Sequence, residues 1–322
     1  MTEALAGYTI EMVKRHVSKV TFNVTLEVGS AHYKEAKGIL SARNSMNLYR
    51  GCTHGCIYCD SRSTCYRIEH DFEDIEVKSN APALLETALR RKRKKCMVST
   101  GSMCDPYQPL ESVENMTGRC LELIERYGFG VTVITKSDLV LRDLELLKRI
   151  NQKTKCVVQM TLTTFDEDLC RILEPSVATT ARRAEVLNIL RDEGIPTVVW
   201  LCPILPFIND NAENLRGILG LCIEAGVKGI ICFGMGMTLR EGDREYYYRK
   251  LDEHFPGMKA RYISTFGYSY SCESPNNAEL MKIFNAQCEN LNIIHKPEAV
   301  FRYLGEFDDK RPGDAGVQMS LF

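Results

Sequence analysis

Residues 49–59 read Tyr-Arg-Gly-Cys-Thr-His-Gly-Cys-Ile-Tyr-Cys, in which three cysteines follow the spacing C-x3-C-x2-C. Thiolates are soft ligands that suit iron–sulfur clusters. This spacing allows one tight loop to bring three sulfurs to three corners of a single cube, and two glycines relieve the backbone where the loop bends. The segment therefore predicts a [4Fe–4S] cluster bound by Cys52, Cys56 and Cys59.

Three protein ligands leave one corner of such a cube without a protein ligand. A metal position of this kind is where a small ligand or substrate binds. A zinc site is one alternative, but zinc takes four ligands, commonly from two C-x2-C pairs, and His54 is poorly placed to complete the set from inside the loop. Packing of three core cysteines is a second alternative, against which the intervening Gly and His residues argue.

Short β-branched segments alternate with longer amphipathic segments from residue 45 onward. Strand–helix units in succession predict right-handed βαβ crossovers and a parallel sheet. We interpret the pattern as an α/β fold, a partial (β/α)6 barrel of the TIM type, with an open doubly wound sheet as the alternative. The predicted strands are Met46–Arg50, Cys96–Thr100, Val131–Thr135, Cys156–Leu162, Thr197–Leu201 and Gly229–Phe233, and the predicted helices are Pro82–Arg91, Val113–Tyr127, Leu139–Ile150, Thr180–Glu193 and Asn211–Ala225.

The regular alternation fades after Gly236, where only Arg240–Phe255 and Asn277–Leu291 still predict helices. Before the barrel, one strand-like alternation covers Val20–Val28. The final segment is charged and rich in Asp, Lys, Pro and Gly, which favours a flexible tail. The predicted divisions are an N-terminal extension (1–44), the partial barrel (45–236), C-terminal helical additions that complete the barrel mouth (237–306) and the tail (307–322).

The 322-residue chain carries a net charge of −1 and 14 cysteines. The near-neutral balance counts against a protein that coats DNA without regard to sequence, because such binding depends on phosphate neutralisation. No apolar signal segment opens the chain, and no run of about 18 apolar residues is present to span a membrane. We therefore expect a reducing, cytoplasmic location, where cysteines are metal ligands, reactive thiols or buried apolar residues.

The cysteine spacing, with the aromatic Tyr58 directly before the third cysteine, resembles the radical S-adenosylmethionine (SAM) superfamily. The resemblance implies that SAM chelates the remaining iron through its amino and carboxylate groups, and that Tyr58 packs near the adenine. It also implies an enzyme whose reduced cluster cleaves SAM to a 5′-deoxyadenosyl radical, which abstracts hydrogen from a substrate. An electron donor such as flavodoxin or ferredoxin would reduce the cluster. The cofactor carries that chemistry, and the protein positions and shields it.

Three segments resemble a narrower group of that superfamily, the spore photoproduct lyase-like or DNA repair photolyase-like proteins. They are Asn-Leu-Tyr-Arg-Gly-Cys at residues 47–52, Gly-Ser-Met-Cys-Asp-Pro-Tyr-Gln-Pro-Leu-Glu at 101–111 and Ile-Thr-Lys-Ser at 134–137. The similarity runs from about Lys37 to Asp308 and is specific in these segments, while elsewhere it is a general βα pattern.

In barrels, functional residues lie at the C-terminal ends of strands, where Asp105 and Lys136 are predicted to lie. The resemblance implies that Lys136 pairs with the SAM carboxylate in a charge-assisted contact and that Asp105 acts near the polar groups of SAM. Thr161 and Thr163, at the end of the fourth strand, are candidate hydroxyl donors to SAM. For a single Lys or Asp the alternative is a solvated surface position, and for Thr161 it is ordinary strand packing.

Two positions depart from the lyase pattern. Asp60 stands where the lyase has an aromatic residue that serves in a radical relay. Ser102 stands at the place of the lyase's thiol hydrogen donor, and Cys104 follows two residues later. These differences count against spore photoproduct repair itself, but they do not affect radical generation. We treat Cys104 as a candidate catalytic residue whose weak S–H bond quenches a substrate radical, with a small buried residue as the alternative.

Two segments bear on a nucleic-acid partner. The basic block Arg90–Lys95 ends a predicted helix on the N-terminal face of the barrel, and we interpret it as a solvated helix end. The last residues, Gln318–Phe322, resemble the short peptide with which many bacterial replication and repair proteins bind the DNA polymerase sliding clamp; a tail that folds back on the protein is the alternative. The favoured substrate is therefore a DNA lesion or modified base, as for a DNA repair lyase. A peptide or small-metabolite substrate and a non-catalytic iron–sulfur sensor are the alternatives.

Overall fold

The computed structural model describes residues 30–310. Its largest element is a six-stranded parallel sheet in which each strand pairs with the next strand of that sheet along the chain. A doubly wound sheet would reverse its strand order at a switch point, so the consecutive order confirms the partial (β/α)6 barrel. The strands are β2 (Ser45–Met46), β5 (Met97–Thr100), β6 (Gly130–Thr135), β7 (Cys156–Thr161), β8 (Thr197–Trp200) and β9 (Gly229–Ile231).

Helices cover the outer face of this sheet, because alternate strand residues point outward as apolar side chains. Val131 and Val133 of β6, and Val158 and Met160 of β7, belong to the main hydrophobic core together with leucines of the helices. The helices are α1 (Ala81–Arg91), α2 (Glu111–Glu114), α3 (Met116–Tyr127), α4 (Leu144–Lys153), α5 (Glu167–Leu173), α6 (Thr180–Asp192), α7 (Ala212–Glu224), α8 (Asp243–His254), α9 (Met258–Phe266), α10 (Asn277–Asn290) and α11 (Pro297–Gly305).

The last helix, α11, packs on the inner face of the sheet. Val157 and Val198 alternate with the outward residues of β7 and β8, and they form a separate apolar cluster with Val300 and Leu304 of α11. Near the start of β7, the Nζ atom of Lys155 donates to two backbone carbonyls at the end of this helix. α11 therefore fills the inner face toward the N-terminal ends of the strands, opposite the end where functional residues are expected.

The predicted first strand, Met46–Arg50, is wrong as a single element. The chain leaves the large sheet after Met46 and enters a separate three-stranded sheet. Two hydrogen bonds from Lys78 hold this segment in the small sheet. The Lys78 amide donates to the carbonyl of Leu48 at 3.1 Å, and its Nζ donates to the carbonyl of Asn47 at 2.7 Å. The strand order of the small sheet is β1 (Ala31–Lys34), β4 (Ile75–Lys78) and β3 (Tyr49–Arg50).

Two predicted helices are interrupted. The segment Val113–Tyr127 divides at Asn115, which has a φ of +49°, into α2 and α3. The carboxylate of Glu111 accepts the first two amides of α3 at 3.0 Å each, so the second helix has its own N-terminal acceptor. The predicted helix Leu139–Ile150 begins as a 3-10 turn, and α4 starts only at Leu144.

The C-terminal third contains more structure than the sequence indicated. Helices α8 and α10 confirm the predictions for Arg240–Phe255 and Asn277–Leu291, but α9, α11 and an antiparallel pair, β10 (Gly236–Thr238) with β11 (Ser271–Glu273), were not predicted. Three-residue strands are too short to show a period in the sequence. The domain divisions stay a prediction, and the alternation at Val20–Val28 lies outside the described residues, as does Gln318–Phe322.

Candidate functional site

The cysteine loop follows β3 and is held against the segment that precedes β4. Gly51 has a φ of +89°, and a Cβ atom at this position would lie 2.4 Å from the carbonyl oxygen of Phe72, so only glycine fits. The amide of Cys52 donates to the same carbonyl at 3.0 Å. Gly55 turns the chain a second time with a φ of +70°. Backbone contacts therefore set the path of the loop.

The three predicted ligand thiols lie in this loop. Cys52 and Cys56 are buried and Cys59 is partly exposed. Burial raises the pKa of Cys56 to about 12, and burial together with the carboxylate of Asp105 raises the pKa of Cys52. Such thiols bind metal only with loss of their protons.

The spacing of the thiols bears on the kind of metal centre that they fit. Among residues 30–310, three metal-ligating atoms approach within 4.8 Å of one another only in a group of two histidines and an aspartate. At least two of the three cysteine sulfurs therefore lie more than 4.8 Å apart. A pair of sulfurs at that separation argues against a preformed site for a single zinc ion.

Lys136, directly after β6, brings its ammonium group to the loop. Its Nζ lies 3.6 Å from the sulfur of Cys56, 3.7 Å from Oε1 of Glu174 and 5.1 Å from the centre of the Tyr58 ring. Burial alone would lower the pKa of Lys136, but the negative charge available on Cys56, Tyr58 and Glu174 raises it. A permanently charged cation therefore lies beside one of the thiols, where it can contact an anionic ligand.

A buried ion pair between Glu174 and Arg183, which sequence reasoning missed, supports Lys136. Arg183 is fully buried and donates to Glu174 and, at 2.7 Å, to the carbonyl of Thr161. Tyr58 donates its hydroxyl to the other carboxylate oxygen of Glu174. Burial opposes the charged carboxylate, but Arg183 and Lys136 hold the pKa of Glu174 below its usual range. The network ties the cysteine loop to the ends of β6 and β7.

One feature of the sequence could have indicated Arg183. The Thr179 side chain accepts the amide of Arg182 at the start of α6, so Arg183 lies in the first turns of the helix. The helix dipole disfavours cations there, so the consecutive Arg182 and Arg183 indicate anionic partners. Glu174, in the loop after α5, has no comparable signal.

Asp105 connects the ends of β5 and β6. Its Oδ1 accepts the hydroxyl of Thr135 at 2.7 Å and the amide of Tyr107 at 2.8 Å, while its Oδ2 accepts the amide of Lys136 at 2.7 Å. Nδ1 of His54 lies 3.4 Å from the same Oδ2, and burial lowers the pKa of His54, which favours a neutral imidazole. Asp105 thus fixes the backbone of Lys136 relative to the cysteine loop. Its direct contact with SAM stays a prediction.

The other predicted site residues lie near these strand ends. Thr161 is on the inner face of β7 by alternation, whereas Thr163 is fully buried with its hydroxyl 3.4 Å from that of Thr164. Cys104 is buried and donates its S–H to the carbonyl of Tyr49 at 3.0 Å. Burial raises the pKa of Cys104 to about 12, so it remains a thiol at neutral pH.

Three aromatic side chains form a further surface on the inner face of the barrel, here called the aromatic surface: Trp200, Phe233 and Phe301. The rings of Phe233 and Phe301 stack with an interplanar angle of 22° and centres 6.2 Å apart, and the ring of Trp200 lies 6.2 and 6.1 Å from them. Phe233 is 62% exposed. Trp200 donates to Gln159 at 2.8 Å, on the same face of the sheet as Thr161. An exposed apolar group of this kind often marks a binding surface.

The sequence profile of the Radical SAM superfamily matches residues 46–217, more than half of the chain. The matched segment contains the cysteine loop, Lys136 and the Glu174–Arg183 pair. The chain belongs to the Radical SAM superfamily and is a radical SAM enzyme.

Related proteins occur in distant organisms. An uncharacterised protein of Mycobacterium tuberculosis strain H37Rv is 29% identical over 249 residues, which cover 76% of this chain and 73% of that protein. An uncharacterised protein of Acidianus two-tailed virus is 26% identical over 262 residues, which cover 75% of this chain and 85% of that protein.

The fold is similar to that of spore photoproduct lyase. A cysteine-to-serine variant of that enzyme superimposes with a TM-score of 0.59 at 12% identity, over 82% of this chain and 80% of its own. A double variant with bound AdoMet and dinucleoside spore photoproduct superimposes with a TM-score of 0.55 at 13% identity, over 77% and 74% of the two chains. The resemblance to the lyase group is thus confirmed at the level of the fold. Within residues 30–310, no helix combines the length and the apolar character needed to cross a membrane.

Proposed function

We propose that Cys52, Cys56 and Cys59 bind a [4Fe–4S] cluster and that SAM binds its remaining iron beside Lys136. The observation that carries this proposal is the position of the Lys136 ammonium, 3.6 Å from the Cys56 sulfur. A half-buried cation beside a ligand sulfur favours an anionic partner at the same place, and the carboxylate of SAM supplies one. When bound and reduced, the cluster supplies the electron that cleaves SAM to a 5′-deoxyadenosyl radical for hydrogen abstraction from the substrate.

Each residue around the loop has a definite task in this proposal. Lys136 binds the SAM carboxylate, and Asp105 holds the Lys136 backbone. Glu174 engages the hydroxyl of Tyr58, which leaves the Tyr58 ring to pack near the adenine. Thr161 contributes its hydroxyl from the inner face of β7. An external donor such as flavodoxin or ferredoxin provides the electron.

For the substrate we propose a nucleic-acid lesion or modified base. The aromatic surface supports this class, because base–aromatic stacking accepts any base and contributes about 1–3 kcal/mol per base. An enzyme that acts on a base must take it out of the stack, and the exposed Phe233 offers it a new stacking partner. Spore photoproduct lyase, whose fold this chain shares, is known with a dinucleoside photoproduct bound. A peptide or small-metabolite substrate is the alternative, and an iron–sulfur sensor has no evident use for Lys136.

Cys104 is proposed to return a hydrogen atom to the substrate radical. Its high pKa supports this role, because hydrogen-atom donation requires the S–H form rather than a thiolate. We expect Cys104→Ala to keep 5′-deoxyadenosine formation while the yield of product per 5′-deoxyadenosine falls. A full product yield at full SAM turnover in this variant would end the hypothesis.

The substrate class is tested by 5′-deoxyadenosine formation in anaerobic, cluster-loaded and reduced protein, with ultraviolet-irradiated DNA, undamaged DNA or no DNA. We expect formation to rise with DNA and to rise most with the damaged form. If the amount of 5′-deoxyadenosine does not depend on DNA, a peptide or small metabolite becomes the favoured substrate. The absence of 5′-deoxyadenosine under every condition, despite a loaded cluster, would favour a sensor.

A cytoplasmic, DNA-associated setting completes the proposal. All fourteen cysteines lie within residues 30–310 as free thiols, which supports a reducing compartment. Association with the DNA polymerase sliding clamp is proposed to run through Gln318–Phe322. A clamp pull-down should succeed with the full chain and fail after deletion of residues 318–322, and capture that survives the deletion would contradict this partner.

A further inference from the structure

Two histidines and an aspartate meet at the edge of the small sheet, where His32 of β1 faces the segment before β4. One ligand atom each of His32, His70 and Asp74 lies within 4.8 Å of the other two. Nδ1 of His32 is 2.9 Å from Oδ2 of Asp74, and the two imidazole rings meet edge-on with centres 4.7 Å apart. All three residues are partly exposed, so an ion from solvent can reach them.

The second observation concerns the free nitrogen of His70. Nδ1 of His70 lies 2.9 Å from the carbonyl oxygen of Asp71. Because a carbonyl only accepts, this contact puts the proton on Nδ1 and leaves a lone pair on Nε2. That Nε2 atom is buried, and no group among residues 30–310 forms a hydrogen bond with it. Histidines that bind metal characteristically donate their other N–H to a backbone carbonyl or carboxylate in this way.

We propose that His32, His70 and Asp74 bind a divalent first-row transition ion, for which Zn²⁺ is the probe. Two imidazole nitrogens and one carboxylate oxygen are a donor set that such ions accept, whereas Mg²⁺ and Ca²⁺ prefer oxygen alone. Oε2 of Glu76 lies 4.0 Å from Nε2 of His32 and is held by Lys34 at 3.2 Å. Glu76 therefore faces the edge of the His32 ring that points away from Asp74, and water would supply the fourth ligand.

The position of the site gives it a structural consequence. His32 belongs to β1, whereas His70 and Asp74 flank Phe72, whose carbonyl accepts the amide of Cys52 and lies against Gly51. An ion at this place joins β1 to the segment that supports the cysteine loop. We expect the bound ion to slow the loss of iron from the protein in air, without any part in the chemistry.

The test is zinc retention by anaerobic, cluster-loaded protein after dialysis at micromolar free Zn²⁺ with excess Mg²⁺. We expect about one zinc per chain, as for a single tetrahedral site. His70→Gln and Asp74→Asn should each lower retention more than tenfold. His295→Gln is the matched control, because Nδ1 of His295 also lies against a carbonyl, that of Ile293 at 3.0 Å, but among residues 30–310 it belongs to no group of three metal-ligating side chains. This control should keep full retention.

X-ray absorption at the zinc edge of the wild-type protein needs no variant. We expect nitrogen and oxygen neighbours with the imidazole signature. Sulfur neighbours would show that zinc binds to cysteines, and no retained zinc would show that the three residues form only a hydrogen-bonded pair with an edge-on ring. Either result, or unchanged zinc in His70→Gln and Asp74→Asn, overturns the proposal.

Discussion

Each end of the barrel contains a lysine that is buried or partly buried, but the two lysines contact different groups. At the C-terminal end, Lys136 lies beside Glu174 and the Cys56 sulfur. At the N-terminal end, Lys155 donates to the backbone carbonyls of Tyr303 and Glu306 at the end of α11. The pKa of Lys136 is raised by its anionic neighbours, whereas burial lowers the pKa of Lys155.

The two lysines therefore have different roles. Lys136 is positioned to bind an anionic ligand, whereas Lys155 donates hydrogen bonds to the carbonyls at the end of α11. A cavity of about 750 Å³ at the N-terminal end is lined by Lys155, Lys228 and Lys310 but also by Glu306 and Asp308, and it contains no thiol. In a barrel this end serves stability, while the C-terminal end carries the chemistry. Burial of a lysine is therefore no sign of function unless its partners are named.

The largest effect is expected from the thiols at the two ends. Cys56→Ala should remove one cluster ligand and reduce both bound iron–sulfur and 5′-deoxyadenosine to background, because a three-cysteine site has no spare ligand. Cys96→Ser, just before β5 at the other end of the barrel, is the matched control and should leave both unchanged. Cluster loading that survives in Cys56→Ala would contradict the assignment of the loop.

The two lysines provide the next contrast. Lys136→Met should weaken SAM binding on the order of 10- to 100-fold, as expected for one lost hydrogen bond to a charged group, while the cluster still loads. Lys155→Met should leave SAM affinity unchanged and lower the melting temperature, because the end of α11 loses its donor. Equilibrium binding of labelled SAM to anaerobic protein measures the first effect and thermal unfolding the second. Equal SAM affinities in the two variants would show that Lys136 does not bind SAM and would remove the proposed difference between the two lysines.

Breaking the buried pair should cost stability. Glu174→Gln leaves Arg183 without its counter-charge, and loss of one partner of a buried pair typically costs about 3–5 kcal/mol in the free energy of unfolding. The exposed pair of Asp168 with Arg171 is the control, and Asp168→Asn should change little. Urea unfolding measures both variants.

The same pair predicts a pH dependence. The pKa of Glu174 is depressed in the folded protein, mainly by Arg183 and Lys136 acting against burial. Its contribution to stability is therefore complete above the ordinary carboxyl value of 4.5 and is lost as the pH falls below it. The stability gap between wild type and Glu174→Gln should narrow as the medium is acidified. A gap that widens in acid would show that Glu174 is protonated in the folded protein.

The smallest effect is expected at the aromatic surface. Phe233→Ala removes an exposed ring and with it about 1–3 kcal/mol of base stacking, so the KM for DNA should rise. SAM cleavage in the absence of DNA should change little. Tyr268, which is 96% exposed, provides the control variant Tyr268→Ala. An unchanged KM in Phe233→Ala would remove the support that this surface lends to a nucleic-acid substrate.

The parts of the structure that the sequence predicted share a local or periodic signal. The parallel barrel follows from repeated strand–helix alternation, and the cysteine loop follows from a spacing within a few residues. Lys136 could be placed at a strand end for the same reason. The break of the first strand could not be predicted, because it depends on Lys78, which is remote in sequence and reaches Leu48 and Asn47 only in the folded chain.

The support for the site was also beyond the sequence. Glu174 and Tyr58 are separated by more than a hundred residues in the sequence, and no motif around either residue predicts their contact. The aromatic surface joins three elements, of which α11 was not predicted at all. Arg182 and Arg183, both placed against the helix dipole, carried a physical anomaly in the sequence, but it did not distinguish the buried Arg183 from its neighbour.

The central claim is that SAM binds an iron–sulfur cluster held by the three loop cysteines beside Lys136. Electron paramagnetic resonance of the reduced protein, with and without SAM, tests it most directly, together with iron counting. We predict about four irons per chain and a spectrum of the reduced cluster that changes when SAM is added, with a weaker response to SAM in Lys136→Met. A loaded cluster whose spectrum is indifferent to SAM in the wild-type protein would contradict the account.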